Sequence, residues 1–152
     1  MWYLISAVLL ITAYLIAIGV QKSISDSYYK IKHKYIFTFV LWSFAVLMLL
    51  GVNDIITTVI YPFACFGIVI VGAYSHFKGS KYLKIMHFIG AISGISLAIL
   101  GLWVEFGYIW LTLIYLPMYA IAKYVIMDNS FYWIEVFAIY LIGISLIIIR
   151  LW

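Results

Sequence analysis

The side chains that could carry chemistry in this chain are a few histidines and carboxylates set in very apolar sequence. Of the three histidines, His76 and His87 lie just inside lysines at the ends of apolar runs, in YSHFK and KIMHF. Neutral imidazoles close to one another could bind zinc or another divalent metal, or act as a general base. A metal would need further ligands, and Asp26, Asp128 and Glu135 are the carboxylates that could supply them.

A structural interpretation of the same residues is the favoured alternative. Each imidazole could donate one hydrogen bond to a backbone carbonyl or a serine across a helix–helix contact and do nothing more. No catalytic role is assigned from the sequence, and His76, His87, Asp26 and Glu135 are the candidates for one. The metal hypothesis rests on His76, His87 and Asp26.

Glu135 lies inside the last apolar run, where an unpaired charge is costly. Lys123 lies inside the preceding run, and an ion pair between these two side chains would cancel both charges. Without that pair, Glu135 becomes a candidate for handling protons or binding a ligand. Asp128, in MDNS, is expected to lie in a turn and to cap the last helix.

The stretch SISDSYYK, residues 23–30, places three serines around an aspartate between two apolar runs. Ser23 and Asp26 have the spacing of a capping box. Alternatively, Asp26 or Ser27 could cap an interfacial helix that runs through YYKIKHKYIFTF. Capping accounts for only one serine and one aspartate, so a polar site containing Ser23, Ser25 and Asp26 is kept as a second hypothesis.

Helices inside a membrane must position these residues. The chain has 152 residues, 68% hydrophobic and 9% charged, and a mean hydropathy of +1.21. A soluble domain needs more charge than this to cover its surface. Apolar runs of a length suited to crossing a bilayer lie near 2–20, 35–52, 55–77, 83–103, 107–127 and 131–150. We therefore predict an all-α fold, a polytopic transmembrane bundle of six helices with short loops, forming a single domain over residues 1–152.

The basic residues indicate which helix ends face the cytoplasm. Most of them lie in the first and third predicted loops, as Lys22, Lys30, Lys32, Lys34, Lys78, Lys81 and Lys84. Loops rich in lysine stay in the cytoplasm, so we predict that both termini face out, in a multi-pass protein of the cytoplasmic or plasma membrane. The net charge of +4 is then explained by membrane topology rather than by binding of nucleic acid. We therefore predict membrane lipids, and no nucleic acid, as partners.

Small residues share one face of the fourth predicted span with His87. They are Gly90, Ala91, Gly94, Ala98 and Gly101. Small residues let helix backbones approach closely, so this face predicts either a helix seam within the chain or a homo-oligomer interface through Gly90, Gly94 and Gly101. In addition, Tyr61-Pro62 and Leu116-Pro117 predict kinks in the third and fifth spans, because proline removes a helical hydrogen bond.

The triplet Ile24-Ser25-Asp26 after a first span, in a chain of six predicted spans, resembles the start of the Frag1/DRAM-type membrane proteins. That resemblance covers these three residues and the span count, and it implies lipid-anchor remodelling or lysosomal and autophagic roles. That family is expected to carry this loop on the outer or lumenal side, whereas the lysines here place it inside. A serine, an aspartate and histidines near these helix ends are also similar in type to alkaline-ceramidase-like membrane hydrolases, whose closing HxxxH motif is absent.

Three classes of function are therefore consistent with the sequence. The most specific hypothesis is a lipid-binding or lipid-modifying protein with a polar site at the cytoplasmic leaflet. The alternatives are a non-catalytic membrane partner protein and a small oligomeric transporter or channel. The hydroxyl groups of the outer half are scattered rather than aligned, which counts against a transport path.

Overall fold

A computed structural model describes residues 1–53, 59–104, 107, 110–126 and 129–151. Every regular element within these ranges is a helix: α1 (Trp2–Ile18), α2 (Ser27–Lys30), α3 (Tyr35–Asn53), α4 (Ile60–Ala73), α5 (Lys81–Val104), α6 (Trp110–Ala120), a π-helix over Ile121–Ile126, and α7 (Ser130–Leu151). The predicted all-α class is confirmed. The predicted cap Asp128 lies outside the described residues.

Among the described residues, α3, α5 and α7 are long and apolar enough to cross a membrane. Two other apolar helices are shorter, since α1 has 17 residues and α4 has 14. Large apolar side chains cover the outside of the molecule, with Trp2 and Ile16 exposed by 76% and 78%. Such a surface is suited to lipid rather than water. The chain is thus a membrane protein by its helices and surface, and the number of crossings stays a prediction.

Five helices, α1, α3, α4, α5 and α7, pack around one core. Along this ring, α5 packs on α4, α4 on α3, and α3 on α1, while α7 closes the ring by contacting α1 and α5. Leu4, Phe37, Leu102 and Leu146 are almost fully buried between these helices. The π-helix and α6 lie outside the ring and pack mainly on α7.

Glycines bring the backbones of α4 and α5 into contact. A Cβ atom on Gly67 would lie 2.6 Å from the backbone nitrogen of Gly94 and 2.8 Å from the carbonyl oxygen of Gly90. The small-residue face of α5 therefore packs within the chain, and Gly90, Gly94 and Gly101 are buried there. Because this face is occupied by α4, a second copy of the chain would have to use another surface.

The two prolines have different effects on their helices. Pro62 lies in the first turn of α4, which begins at Ile60. An N–H in the first turn has no helical acceptor, so Pro62 does not interrupt α4 itself. The predicted kink of the third span also involves residues 54–58, which lie outside the described residues. Pro117 lies inside α6, and the α-helix gives way to the π-helix at Ile121. The fifth predicted span is therefore irregular on the C-terminal side of its proline.

Candidate functional site

The stretch SISDSYYK, which we call the 23–30 segment, folds over one end of the bundle. The N–H of Asp26 donates to Ser23 Oγ at 3.1 Å, and the Ser23 hydroxyl lies 3.3 Å from Asp26 Oδ2. The capping-box spacing thus closes a turn, which α2 follows. The longer interfacial helix predicted here is wrong, because α2 ends at Lys30 and α3 begins separately at Tyr35. Asp26 makes no side-chain cap bond to α2.

Glu135 of α7 holds the start of this segment. Its Oε2 accepts a hydrogen bond from the backbone N–H of Ile24 at 2.5 Å. The predicted ion pair between Glu135 and Lys123 is wrong. Lys123 is exposed, and its Nζ lies 5.7 and 5.4 Å from the ring centroids of Tyr119 and Tyr124. Lys123 thus contacts tyrosine rings on the outside of the bundle. The partner of the Glu135 carboxyl group is instead the backbone N–H of Ile24.

Ser25 and His87 form a second link between the segment and the bundle. Ser25 Oγ lies 2.8 Å from His87 Nε2, and both residues are buried. The imidazole stacks on the ring of Phe77, with centroids 4.5 Å apart and planes at 21°. Its Nδ1 makes no hydrogen bond of standard geometry, although the backbone carbonyls of Val71 and Tyr74 interact with the ring. His87 therefore lies at a helix–helix contact, as the small residues on its face of α5 predict.

The loop between α4 and α5 supplies a third link. Asp26 Oδ1 forms an ion pair with Lys78 Nζ at 2.5 Å, and both side chains are partly exposed. The backbone N–H of Lys78 donates to the hydroxyl of Tyr29 at 2.7 Å. The loops that carry most of the lysines therefore meet at the same end of the bundle, as the charge pattern predicts.

A fourth link runs to α1. Ser27 Oγ donates to the carbonyl oxygen of Ile24 at 2.6 Å and lies 2.6 Å from the hydroxyl of Tyr14. A serine hydroxyl has one hydrogen, so Tyr14 must be the donor to Ser27 Oγ. Ser27 is fully buried, which makes this contact part of the core rather than of the surface.

The predicted metal ligands have separate partners. His76 lies beyond the end of α4 at Ala73, in an exposed position beside Tyr28, with ring centroids 6.0 Å apart. His87 and Asp26 have the partners given above. Within the part of the chain that the structure describes, no group of three His, Cys, Asp or Glu side chains could hold a metal ion. We therefore derive no metal chemistry.

A cavity of about 100 Å³ lies behind the 23–30 segment, between α3, α4, α5 and α7. Ser25 and Glu135 line it where the segment closes the bundle, and Tyr61 lines it near the start of α4. Most of the remaining wall is aliphatic or aromatic carbon, including side chains of α5 such as Ala91 and Ala98. The arrangement is a mostly apolar chamber, with Ser25 and Glu135 at the end that the segment closes and Tyr61 toward the other end.

The links Ile24–Glu135, Ser25–His87 and Tyr14–Ser27 could not be predicted from local spacing. The available signal was the density of serine and aspartate in SISDSYYK, which exceeds the needs of one helix cap. That signal indicates a polar site without naming the partners of each side chain.

No protein-family model, curated protein or solved structure matches this chain. Its function is therefore argued from the geometry of the cavity and of the segment that closes it.

Proposed function

We propose that this protein binds a membrane lipid or a similar amphiphile, with apolar carbon in the cavity and a polar group directed at Ser25 and Glu135. The observation that carries the proposal is the chamber itself, which is apolar along most of its wall and has Ser25 and Glu135 at the end that the 23–30 segment closes. Ligand sites typically combine apolar walls with a few placed polar groups. An apolar cavity of about 150 Å³ can hold benzene, so this one suits a short stretch of acyl chain.

A ligand of this kind would enter from the bilayer between α5 and α7. Those two helices pack on each other less than the other neighbours of the ring do. Ala91 and Ile95 of α5 and Ile139 of α7 line the cavity and are partly exposed. The rest of a lipid could therefore lie outside the bundle while one chain segment occupies the cavity.

The polar end of the ligand faces a carboxyl group and a hydroxyl group. One oxygen of Glu135 is occupied by the N–H of Ile24, and Asp26 lies next to Ser25 in the chain. Carboxylates repel an anionic group and accept hydrogen bonds. The best-suited polar group is therefore uncharged and carries a hydroxyl or amide donor, as in the ester and amide lipids with neutral heads.

The proposal places this site at the cytoplasmic leaflet of a six-span, N-out/C-out bundle in the cytoplasmic or plasma membrane. The meeting of the lysine-bearing loops at one end of the molecule supports that orientation. At about 1.5 Å per residue, the 14 residues of α4 are short for a bilayer about 30 Å thick. We expect α4 to cross together with residues next to it.

The test is photo-crosslinking of the purified full chain in lipid nanodiscs with a diazirine-bearing monoacylglycerol. Ala98, which lines the cavity and is 5% exposed, is replaced by Phe, and the matched control is Ile92→Phe at a site on α5 that is 64% exposed. We expect Ala98→Phe to abolish labelling of cavity peptides, because the ring fills the chamber, while Ile92→Phe keeps it. If the phenyl ring destabilises the bundle, Ala98→Leu is the second variant, because its smaller side chain fills part of the chamber and should reduce the labelling. Equal labelling of all the variants would refute cavity binding.

A further inference from the structure

We infer that Ser25 is a nucleophile activated by His87, so that the amphiphile in the cavity is an acyl substrate. The inference rests on the proposed function and adds a reaction to it. Its basis is the buried contact of 2.8 Å between Ser25 Oγ and His87 Nε2, beside a chamber suited to an acyl chain. Nucleophilic catalysis by serine requires a base within hydrogen-bond reach of the hydroxyl, and His87 meets that requirement.

The hydroxyl is placed where a substrate can reach it. Ser25 lines the cavity, whereas the imidazole lies behind it. An acyl chain among the apolar side chains would bring its carbonyl carbon to the polar end, next to Ser25 Oγ. The base is held in position, since its ring is buried, stacks on Phe77 and presents Nε2 to the serine.

The contact is not required to attach the 23–30 segment. Three other links hold that segment: Glu135 to the N–H of Ile24, Tyr14 to Ser27, and Lys78 to Asp26. A small apolar residue at position 25 would fill the space without bringing an imidazole into the bundle, where polar groups are costly. A reactive pair accounts for both the serine and the histidine.

The reaction balances as an acyl transfer. Ser25 Oγ bonds to the carbonyl carbon of a lipid ester, and its proton passes to His87 Nε2. The carbon–oxygen bond to the leaving alcohol then breaks, and that alcohol takes the proton from His87. Water, or the hydroxyl of a second lipid, next attacks the acyl-serine with His87 again as the base, which releases a fatty acid or a new ester.

The experiment treats the full chain in nanodiscs with a long-chain alkyl fluorophosphonate, whose phosphorus reacts with activated serines. We expect one adduct per chain, located at Ser25 by peptide mass spectrometry. Ser25→Ala should abolish it, and His87→Gln should slow its formation by about 100-fold or more. The control Ser93→Ala removes a hydroxyl of α5 that bonds to the carbonyl of Gly90, and it should keep the adduct.

The diazirine lipid, applied to the same samples, separates the two proposals. Photolabelling of the cavity without an adduct at Ser25 would overturn acyl transfer and leave lipid binding standing. If the unmodified protein shows neither photolabelling of the cavity nor an adduct at Ser25, lipid binding and acyl transfer are both overturned. Mapping the adduct in the unmodified protein does not depend on any variant. An equal adduct rate in the unmodified protein and in His87→Gln would also overturn the assignment, because a structural histidine would not change that rate.

Discussion

Glu135 and Ile24 illustrate how single contacts accommodate polar groups in this apolar bundle. The carboxyl group of Glu135 accepts the N–H of Ile24, so each satisfies the other. Tyr14 does the same for Ser27. Removing one partner of a buried hydrogen bond leaves the other unsatisfied, which costs more than the bond itself contributes. At this scale, the identity of one atom decides the outcome of a substitution.

Glu135→Gln should preserve stability, whereas Glu135→Ala should not. The amide oxygen of Gln can accept the N–H of Ile24, while Ala leaves that donor unsatisfied. We expect a loss of about 1–3 kcal/mol for Ala and less than about 1 kcal/mol for Gln. Thermal or denaturant unfolding in one detergent would measure both, and equal losses would contradict the assigned bond.

Tyr14→Phe should destabilise the protein by about 1 kcal/mol, since it removes the donor to Ser27 Oγ without changing the size of the ring. The matched control is Tyr140→Phe, because Tyr140 likewise pairs with a hydroxyl, that of Thr12 at 2.6 Å, in a partly buried position. The loss should be larger for Tyr14, whose contact is buried. Unfolding curves that rank the two variants the other way would contradict this.

At the crossing of α4 and α5, a Cβ on a glycine would come closer to the backbone of a neighbouring helix than at the other described glycines. This crossing sets the width of the cavity, since both helices line it. Thr38 and Trp42 of α3 add bonds to the other side of α4, with Thr38 Oγ1 donating to the carbonyl of Gly72 at 3.0 Å and Trp42 Nε1 to that of Val69 at 3.1 Å. Carbonyls in the last turn of a helix lack helical donors, so the bond from Thr38 to Gly72 satisfies such a carbonyl and fixes the end of α4 beside the polar site.

Gly67→Ala should destabilise the bundle far more than Gly94→Ala. A Cβ on Gly67 would meet backbone at 2.6 Å, whereas one on Gly94 would lie 3.3 Å from the carbonyl oxygen of Ala64. Backbone cannot move aside as a side chain can. We expect a cost of about 1–3 kcal/mol at Gly67 and less than about 1 kcal/mol at Gly94, where helix propensity favours Ala. Equal melting temperatures would show that the helices cross elsewhere.

For the whole molecule, the 23–30 segment links α1, α5, α7 and the loop after α4 at one end of the ring. The chamber is closed there by polar contacts, and α5 and α7, which both line it, pack on each other less than the other neighbours of the ring do. Helices that are apolar outside and joined by polar contacts at one end suit a protein that accepts a ligand from the bilayer.

Single cysteines should locate both lysine-bearing loops on one side of the membrane. In a Cys65→Ala background, a membrane-impermeant maleimide should label Lys32→Cys and Lys81→Cys in inside-out vesicles, whose cytoplasmic face is on the outside. It should not label them in right-side-out vesicles. Trp2→Cys, at the opposite end of α1, should react only from the outer face. Labelling of Lys32→Cys and Lys81→Cys from opposite faces would contradict the bundle, and labelling of both from the outer face would reverse its orientation.

By itself, the sequence determined the helical class, the membrane setting and the clustering of lysine-bearing loops, because continuous apolar runs and charge are local properties of the chain. The face of α5 that carries His87 and the glycines could be read from helical spacing. Only the tertiary structure decided that Ser25 meets His87, that Ile24 replaces Lys123 as the partner of Glu135, and that His76 lies in a loop. Those contacts depend on the order and rotation of helices around the ring, which residue spacing along one helix does not encode.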